Sequence, residues 1–332
     1  MNTLKPTARR TVLGCLLALL LQGLAGCSQT EMLRLYFANS GTQARLDQPL
    51  PLRIPFREHQ GWVLVKASIN GAPPLDFVLD TGAGMLTVLT GPKTGSLPFD
   101  MRQVRRIGGD GVAGITAAVQ QDLDIDFGPV TLLGQTALAV PLDTVLCDAS
   151  IQEPPFQGVI GHELFHRYVV EIDHARSEVV LHDPETYRYT GKGHVVPLDI
   201  SSRHAYAKAR VHGPAGADYE ARLHVDSGAG IDLSLFPQTH ESIEVPPGGE
   251  EAVACFVGGL ARYQTGSSVT LGLGDAPGVE TPVRYSLGDE IIDTGQHGRI
   301  GARYLARFNV VYDFPGERMF LSPRTAGGQA GP

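Results

Sequence analysis

Two short motifs in this 332-residue chain place an aspartate beside a hydroxyl residue and glycines. The first reads Asp80-Thr81-Gly82-Ala83-Gly84, and the second reads Asp226-Ser227-Gly228-Ala229-Gly230. Hydrolysis of an amide needs one group that activates water and another that polarises the carbonyl group. Two carboxyl groups roughly 3 Å apart can do both, because they cannot both ionise cheaply and therefore hold one proton between them. If the fold brings Asp80 and Asp226 together, they form a candidate acid–base centre.

The residues around the two motifs repeat in the same order, which indicates how the motifs are positioned. Each motif follows a predicted hairpin with an apolar second strand, over residues 62–79 in the first copy and 206–225 in the second. Further along, Gly158-Val159-Ile160-Gly161 matches Gly298-Arg299-Ile300-Gly301, and each is followed by a predicted closing strand. Two copies of one β-rich unit would bring both aspartates to the seam between them.

The composition favours short strands over long helices. The chain contains 40 Gly and 23 Pro, with 42% hydrophobic and 19% charged residues. So many helix-interrupting residues exclude a coiled coil, a helical bundle and a helical solenoid. The formal net charge is −8, and the sequence has no basic patch, so we expect no nucleic-acid partner.

The N-terminal residues are typical of an export signal. Lys5 and the pair Arg9-Arg10 precede an apolar run over residues 11–24, which is shorter than a membrane-spanning helix. The next residues, Leu24-Ala25-Gly26-Cys27, resemble the lipobox of bacterial lipoproteins. That resemblance implies a signal peptide over residues 1–26, cleavage before Cys27, and acylation of the Cys27 thiol (palmitate) as a membrane anchor.

The same resemblance implies a location at the cell envelope, facing the periplasm. Ser28 after the cysteine favours the outer membrane by analogy with lipoprotein sorting. The arginine pair fits either general secretion or twin-arginine export, and an uncleaved membrane anchor is the alternative for the whole segment. Residues 27–50 are polar and without pattern, and they predict a tether between the lipid and the folded part.

The repeat also predicts the domain boundaries. We expect an N-terminal lobe over residues 51–190, a C-terminal lobe over residues 194–324 and a flexible tail over residues 325–332. Once the signal is removed and Cys27 is acylated, only Cys147 and Cys255 remain. These two could form a disulfide in an oxidising compartment or remain as separate buried thiols.

The doubled motif, the hairpins and the two hydrophobic-Gly elements make the chain from about residue 50 to 323 resemble the pepsin and retropepsin group of aspartic peptidases. The resemblance implies an all-β, two-lobed pepsin/retropepsin-like acid protease fold with two pseudo-symmetric β-barrel lobes and few short helices. It implies an endopeptidase in which Asp80 and Asp226 form the catalytic dyad, with no metal and no cofactor. It further implies a monomer that holds a peptide or protein substrate in the interlobe cleft.

The resemblance also assigns roles to the residues beside each aspartate. Thr81 and Ser227 are expected to bond across to the partner loop and make both loops rigid. Gly82 and Gly228 would let backbone N–H groups approach the carboxyl groups without a Cβ atom in the way.

A glycine-rich stretch lies where this family has a substrate-covering flap. Its residues are Gly108, Gly109, Asp110 and Gly111. Glycines suit a hinged hairpin, and a plain solvent loop is the alternative. The counterpart in the second copy, near residues 256–259, is either a shorter flap or a structural hairpin.

The sequence departs from the family pattern in several places. No Tyr or Trp occurs between Gly84 and Gln120, where the flap aromatic is expected, and Gly84 and Gly230 replace the more usual Ser or Asp. Arg299 stands where the second hydrophobic-Gly element expects an apolar residue. These departures motivate an alternative function, a non-catalytic envelope lipoprotein that binds peptides in the same cleft.

A second alternative comes from His162-Glu163-Leu164-Phe165-His166, which spells the H-E-x-x-H motif of zinc peptidases. That motif needs a well-formed helix, but a predicted strand begins at Tyr168. The corresponding turn of the second copy contains no zinc ligands. We therefore favour ordinary surface histidines on a short helix. His224 lies in the strand that enters the second motif and is expected to face the opposite side from Val225.

Overall fold

The computed structural model describes residues 34–107, 115–145, 154–213, 218–256, 259–288 and 295–324. The chain divides into two units, Met1–Thr42 and Gln43–Pro332, and every element named below belongs to the second. The predicted signal peptide, Cys27, the predicted flap residues, Cys147 and the predicted tail lie outside the described residues. Within the part that is described, no helix has the length and apolar character to cross a membrane.

The described residues of the second unit form 23 strands. Those of the first half are β1 (Ala44–Leu46), β2 (Leu52–His59), β3 (Trp62–Ile69), β4 (Leu75–Leu79), β5 (Thr87–Thr90), β6 (Arg105–Ile107), β7 (Ile115–Asp126), β8 (Val130–Pro141), β9 (Gly158–Ile160), β10 (Val169–Asp173) and β11 (Glu178–His182). Those of the second half are β12 (His194–Ser201), β13 (His204–His212), β14 (Asp218–Asp226), β15 (Leu233–Leu235), β16 (Glu251–Phe256), β17 (Gly259–Thr265), β18 (Val269–Leu273), β19 (Val279–Thr281), β20 (Val283–Ser286), β21 (Gly298–Gly301), β22 (Phe308–Asp313) and β23 (Arg318–Pro323).

Helices are short in the described part of this unit. They comprise the α-helices α1 (His162–Phe165) and α2 (Ala302–Leu305), and the 3-10 turns Pro92–Thr94, Leu142–Thr144 and Pro237–Thr239. Each α-helix is four residues long and follows a glycine that ends the preceding hydrophobic-Gly element. The prediction of an all-β fold with few short helices is confirmed.

The two halves repeat the same strand pairings. In the first half, β3 and β4 form a hairpin, β4 runs parallel to β9, and β5 pairs antiparallel with β9 and parallel with β8. In the second half, β13 and β14 form the hairpin, β14 runs parallel to β21, and β15 pairs with β21 and β20 in the same senses. The predicted pseudo-symmetry of the two halves is therefore present in the pairing of their strands.

One antiparallel sheet joins the halves. Its strands run in the order β2, β11, β10, β22, β23 and β12, and we refer to it as the shared sheet. The halves meet where β10 pairs with β22, with Val170 opposite Tyr312 and Ile172 opposite Val310. Buried apolar side chains of both halves form one continuous core beneath it. Because the halves share both a sheet and a core, each constrains the position of the other.

The N-terminal part of the folded unit begins earlier than the sequence suggests. Ala44–Leu46 pairs antiparallel with the start of β8, although these residues fall within the tether expected over residues 27–50. A strand of three residues is too short to show a hydrophobic period, which explains why the pattern does not reveal it. The connection between the halves runs between the end of β11 and the start of β12.

We expect Val310→Ala, which removes two buried methyl groups from β22 where the halves meet, to lower the free energy of unfolding by roughly 0.5–3 kcal/mol. Because the halves share a sheet, we expect them to unfold together. In urea, the transition measured by the fluorescence of Trp62, the single tryptophan, should therefore coincide with the transition measured by circular dichroism. Val195→Ala, on the exposed side of β12, is the matched control and should change stability by less than about 0.5 kcal/mol. Separate transitions for the two probes would contradict the coupling.

Candidate active site

The two motif aspartates occupy equivalent places at the ends of β4 and β14. The backbone N–H of Asp80 donates to the Ile160 carbonyl oxygen at 2.8 Å, and Asp226 lies opposite Gly301 in the parallel pairing of β14 with β21. Each aspartate is therefore fixed against the hydrophobic-Gly element of its own half. The structure brings together the two residues that the sequence predicts as a pair.

The hydroxyl residues after each aspartate bond across the seam between the halves. The Thr81 hydroxyl donates to the Val225 carbonyl oxygen at 2.7 Å and accepts from the Ser227 N–H at 2.9 Å. Reciprocally, the Ser227 hydroxyl donates to the Leu79 carbonyl oxygen at 2.8 Å and accepts from the Thr81 N–H at 2.9 Å. These bonds hold the loop after each aspartate to the end of the strand that precedes the other aspartate.

The glycines that follow allow the two carboxyl groups to approach each other. A Cβ atom on Gly228 would lie 2.2 Å from the Asp80 carboxyl carbon, and a Cβ atom on Gly82 would lie 2.6 Å from Asp226 Oδ1. Any other residue at either position would collide with the aspartate of the opposite half. The space left by the missing side chains lets the two carboxyl groups form a hydrogen bond with each other.

Burial and the neighbouring charges shift the pKa values of the two carboxyl groups in opposite directions. Burial, followed by the charge of Asp226, raises the pKa of Asp80 well above its ordinary value. Burial also opposes ionisation of Asp226, but its pKa is lowered because Arg299, His224 and the hydrogen bond from Asp80 favour the charged form. Shifts in these two directions are those of a pair of carboxyl groups that holds one proton between its members.

Arg299 is the residue of this site whose role the sequence does not reveal. Its Nε atom lies 3.3 Å from Asp226 Oδ2, and both side chains are nearly buried, at 13% and 11% exposure. The sequence marks Arg299 only as a departure from an apolar pattern. A charged residue within a buried strand is a signal of a buried partner, because burying an unpaired charge is costly.

His224 lies next to Arg299 in the register of β14 and β21. Its side chain is 1% exposed, and neither ring nitrogen has a hydrogen-bond partner among the described residues. The ring packs against Tyr206 and His204. Burial lowers the pKa of His224 to about 3, so the ring is neutral near pH 7. Val225 is also buried, because this strand is covered on both faces.

Each aspartate loop is also braced by a hairpin of the other half. The indole N–H of Trp62, in the first half, donates to the Gly228 carbonyl oxygen at 2.9 Å. The Arg203 guanidinium, in the second half, donates to the Gly84 carbonyl oxygen at 2.9 Å. A Cβ atom on Gly230 would lie 2.9 Å from the Trp62 ring, which explains why glycine replaces the larger residue expected there.

The residues of the H-E-x-x-H motif support the first loop instead of assembling a metal site. Glu163 is fully buried, and its Oε1 atom accepts from the Leu86 N–H at 2.8 Å. The rings of His162 and His166 stack with centroids 4.5 Å apart and an interplanar angle of 11°, so they do not converge on one point. Among the described residues, no group of three or more His, Cys, Asp or Glu side chains is arranged to hold a metal ion.

The predicted flap lies outside the described residues, but the strands on either side of it are described. β6 and β7 pair antiparallel, with Ile107 opposite Ile115, and form the stem of a hairpin that leads into residues 108–114. In the second half, β16 and β17 form the corresponding hairpin, with Phe256 opposite Gly259. The two halves thus carry hairpins at equivalent points of the chain.

Comparison with known proteins gives a similarity at the level of the fold. The sequence matches no family model and no curated protein. Among solved structures, the chain is similar to an aspartic proteinase from Irpex lacteus, with 13% identity, coverage of 83% of this chain and 98% of that chain, and a TM-score of 0.49. An identity this low says nothing about which residues of this chain act in the site.

The hydroxyl bonds across the seam predict an asymmetric response to two substitutions at residue 81. Thr81→Val preserves shape but leaves the Val225 carbonyl and the Ser227 N–H without this partner, so we expect a loss of roughly 1–3 kcal/mol in the free energy of unfolding. Thr81→Ser keeps the hydroxyl, as Ser227 does in the second half, and should lose less. Urea unfolding of both variants measures the difference, and equal stabilities would show that the bonds contribute nothing.

The buried neutral histidines predict that stability falls in acid. The pKa values of His162 and His224 are lowered to about 3, mainly by burial, so below pH 6.5 the unfolded chain binds protons that the folded chain does not. The free energy of unfolding should therefore rise with pH between about 3 and 6.5.

The variant His224→Val, which places the residue of the first half at the equivalent position, isolates one of these contributions. It should reduce the slope of stability against pH by up to about 1.4 kcal/mol per pH unit in that range. Urea titrations at a series of pH values measure this, with the exposed His212→Val as the control. A slope unchanged by His224→Val would contradict the neutral state of the ring.

Proposed function

We propose that this protein is an aspartic-type endopeptidase, in which Asp80 and Asp226 hydrolyse peptide bonds with a water molecule held between them. The observation that supports this most directly is the close approach of the two carboxyl groups beside Gly82 and Gly228, where the pKa of Asp80 is raised and that of Asp226 is lowered. Such a pair contains a general base and a general acid at the same point, which is what amide hydrolysis requires.

The arrangement supports a mechanism in which the dyad supplies both proton transfers. The ionised carboxylate takes a proton from water as the water oxygen bonds to the scissile carbonyl carbon, and the protonated carboxyl gives its proton to the carbonyl oxygen. The resulting diol then collapses. The first carboxyl protonates the leaving nitrogen as the C–N bond breaks, and one diol hydroxyl returns a proton to the second, which restores the starting state.

The substrate and the location of the enzyme are part of the same proposal. The substrate is an extended stretch of peptide or protein bound between the two halves, largely through main-chain hydrogen bonds. The proposal keeps the expectation that Gly108, Gly109, Asp110 and Gly111 cover the bound substrate, although these residues lie outside the described part of the chain. We further propose that the protein is a monomer attached to the cell envelope by lipid on Cys27. It would face the periplasm, and the outer membrane is the favoured location.

A second candidate function is peptide binding without cleavage. One observation favours it, since the close pairing of Arg299 with Asp226 makes that carboxylate a weaker base than an unpaired one. The two functions differ in one measurable respect. A binding protein would retain unmodified peptide on prolonged incubation, whereas an endopeptidase would release two fragments.

We expect Asp80→Asn and Asp226→Asn each to lower kcat by roughly 10²–10⁴-fold, because each removes one of the two proton-transfer groups. Digestion of a peptide library across pH, analysed by mass spectrometry, measures the loss. Asp122→Asn is the matched control, because Asp122 is exposed and its φ of 57° suits asparagine equally well.

Three outcomes would contradict the proposal. Full activity in the double Asp→Asn variant would remove the dyad from the reaction. Cleavage that a chelator abolishes and a pepstatin-type transition-state mimic does not would instead favour a zinc peptidase. Peptide that binds wild type and both variants equally, without cleavage by any of them, would favour the binding function.

A further inference from the structure

The two halves differ at one pair of equivalent positions close to the aspartates, two residues before each aspartate and opposite that residue on the parallel strand. In the first half, Val78 of β4 lies opposite Val159 of β9. At the equivalent pair of the second half, His224 of β14 lies opposite Arg299 of β21. The backbone pairing is the same in both halves. The second half has therefore exchanged two apolar side chains for two nitrogen-containing ones at the same points of its fold.

This exchange makes the surroundings of the two carboxyl groups unequal. Asp226 Oδ1 accepts from the N–H groups of Gly228 and Ala229, both at 3.0 Å, and Oδ2 lies 3.3 Å from Arg299 Nε. Among the described residues, Asp80 accepts one backbone N–H, that of Gly82, at 2.8 Å. Asp226 thus has more hydrogen-bond donors in this part of the chain, and Arg299 adds an ion pair.

The other ionisable groups near the dyad do not reverse this inequality. Asp80, Arg299 and His224 act directly on the Asp226 carboxyl group, and Arg299 acts on Asp80 more weakly than Asp226 does. Burial, Arg299, His204 on β13 and Arg222 on β14 disfavour a charge on the His224 ring, whereas Asp226 favours one. Because the pKa of His224 is lowered to about 3, this ring can support the Asp226 carboxylate only in acid, whereas Arg299 carries its charge throughout. The guanidinium is the dominant positive charge at Asp226.

We propose that Arg299 is a positioning residue that keeps the negative charge of the dyad on Asp226 and the shared proton on Asp80, which makes Asp226 the base in the proposed reaction. Only the role of Asp226 as a base rests on the proposed function. The placement of the negative charge rests on the geometry of the site. In the reaction, Asp226 takes the proton from water and passes it to the leaving nitrogen, while Asp80 gives its proton to the carbonyl oxygen and recovers one from the diol.

In this role, Arg299 extends the pH range over which the two carboxyl groups hold one proton between them. Arg299 disfavours protonation of Asp226 in acid, and the carboxylate so fixed disfavours ionisation of Asp80 toward neutral pH. A dyad without this charge would take up a second proton at a higher pH. We therefore expect activity that continues from acid into neutral conditions, with Arg299 setting the acid limit.

The first test uses the pH profile of kcat/KM for peptide cleavage. Arg299→Met removes the charge and keeps most of the length, and Val159 shows that an apolar residue suits this strand position. The acid limb of the profile should move up by about 1–3 pH units, which is the usual effect of one nearby opposite charge. Arg299→Lys should restore most of the shift. Arg303→Gln, on the exposed side of α2, is the control and should leave the profile unchanged.

The second test needs no activity. Titration of the aspartate carboxyl carbons by ¹³C NMR in Asp80→Asn, with Asp226→Asn used for assignment, reports the protonation of Asp226 without its partner. Adding Arg299→Met, or Arg299→Gln if the methionine variant does not fold, should raise the titration midpoint of Asp226 by about 1–3 pH units.

The two tests separate the two proposals. A raised midpoint in a protein that cleaves no peptide would support the charge placement and contradict the peptidase function. Cleavage with an acid limb and a midpoint that Arg299→Met leaves unchanged would support the peptidase and overturn the role of Arg299. Equal shifts in Arg299→Met and Arg299→Lys would also overturn it, since they would trace the effect to packing and not to charge.

Discussion

Two carboxyl groups in close contact, that of Asp226 buried and that of Asp80 partly buried, are the constraint on which the rest of this structure depends. Like charges at that separation repel strongly where water is excluded, so the contact persists only if one group keeps its proton. The loops that hold the carboxyls must also be rigid, because a small outward movement would let water separate them. The surrounding hydrogen bonds meet this need by tying each loop to the opposite half. Each aspartate is therefore held by contacts from both halves.

Much of this arrangement could be predicted from the sequence because the same pattern of apolar, hydroxyl and glycine residues occurs twice. Alternating apolar residues before each aspartate predict the strands, and the glycines and hydroxyl residues that follow predict close loops. The bonding of Thr81 and Ser227 across the seam is what the family resemblance implies, and the structure contains these bonds. The strands and loops could be predicted because their signals lie in residues that are neighbours in the sequence.

The rest could not be predicted because it depends on contacts between distant residues of different type. Arg299 appears in the sequence only as an exception to an apolar pattern, and its partner is set by the parallel pairing of β14 with β21. Glu163 belongs to a metal-binding motif in the sequence, yet its carboxylate binds a backbone N–H in the loop after Asp80. The strand Ala44–Leu46 is too short for any periodicity. In each case the tertiary partner, not the local pattern, decides the role.

The missing side chain of Gly228 has a consequence for how this centre could be switched off. A single methyl group there would occupy the place of the Asp80 carboxyl, so an alanine would act as a wedge that forces the acids apart while leaving both in the chain. The outcome would be a molecule with its full set of reactive groups and no shared hydrogen ion between them. Loss of chemistry in this fold therefore does not require loss of an acid.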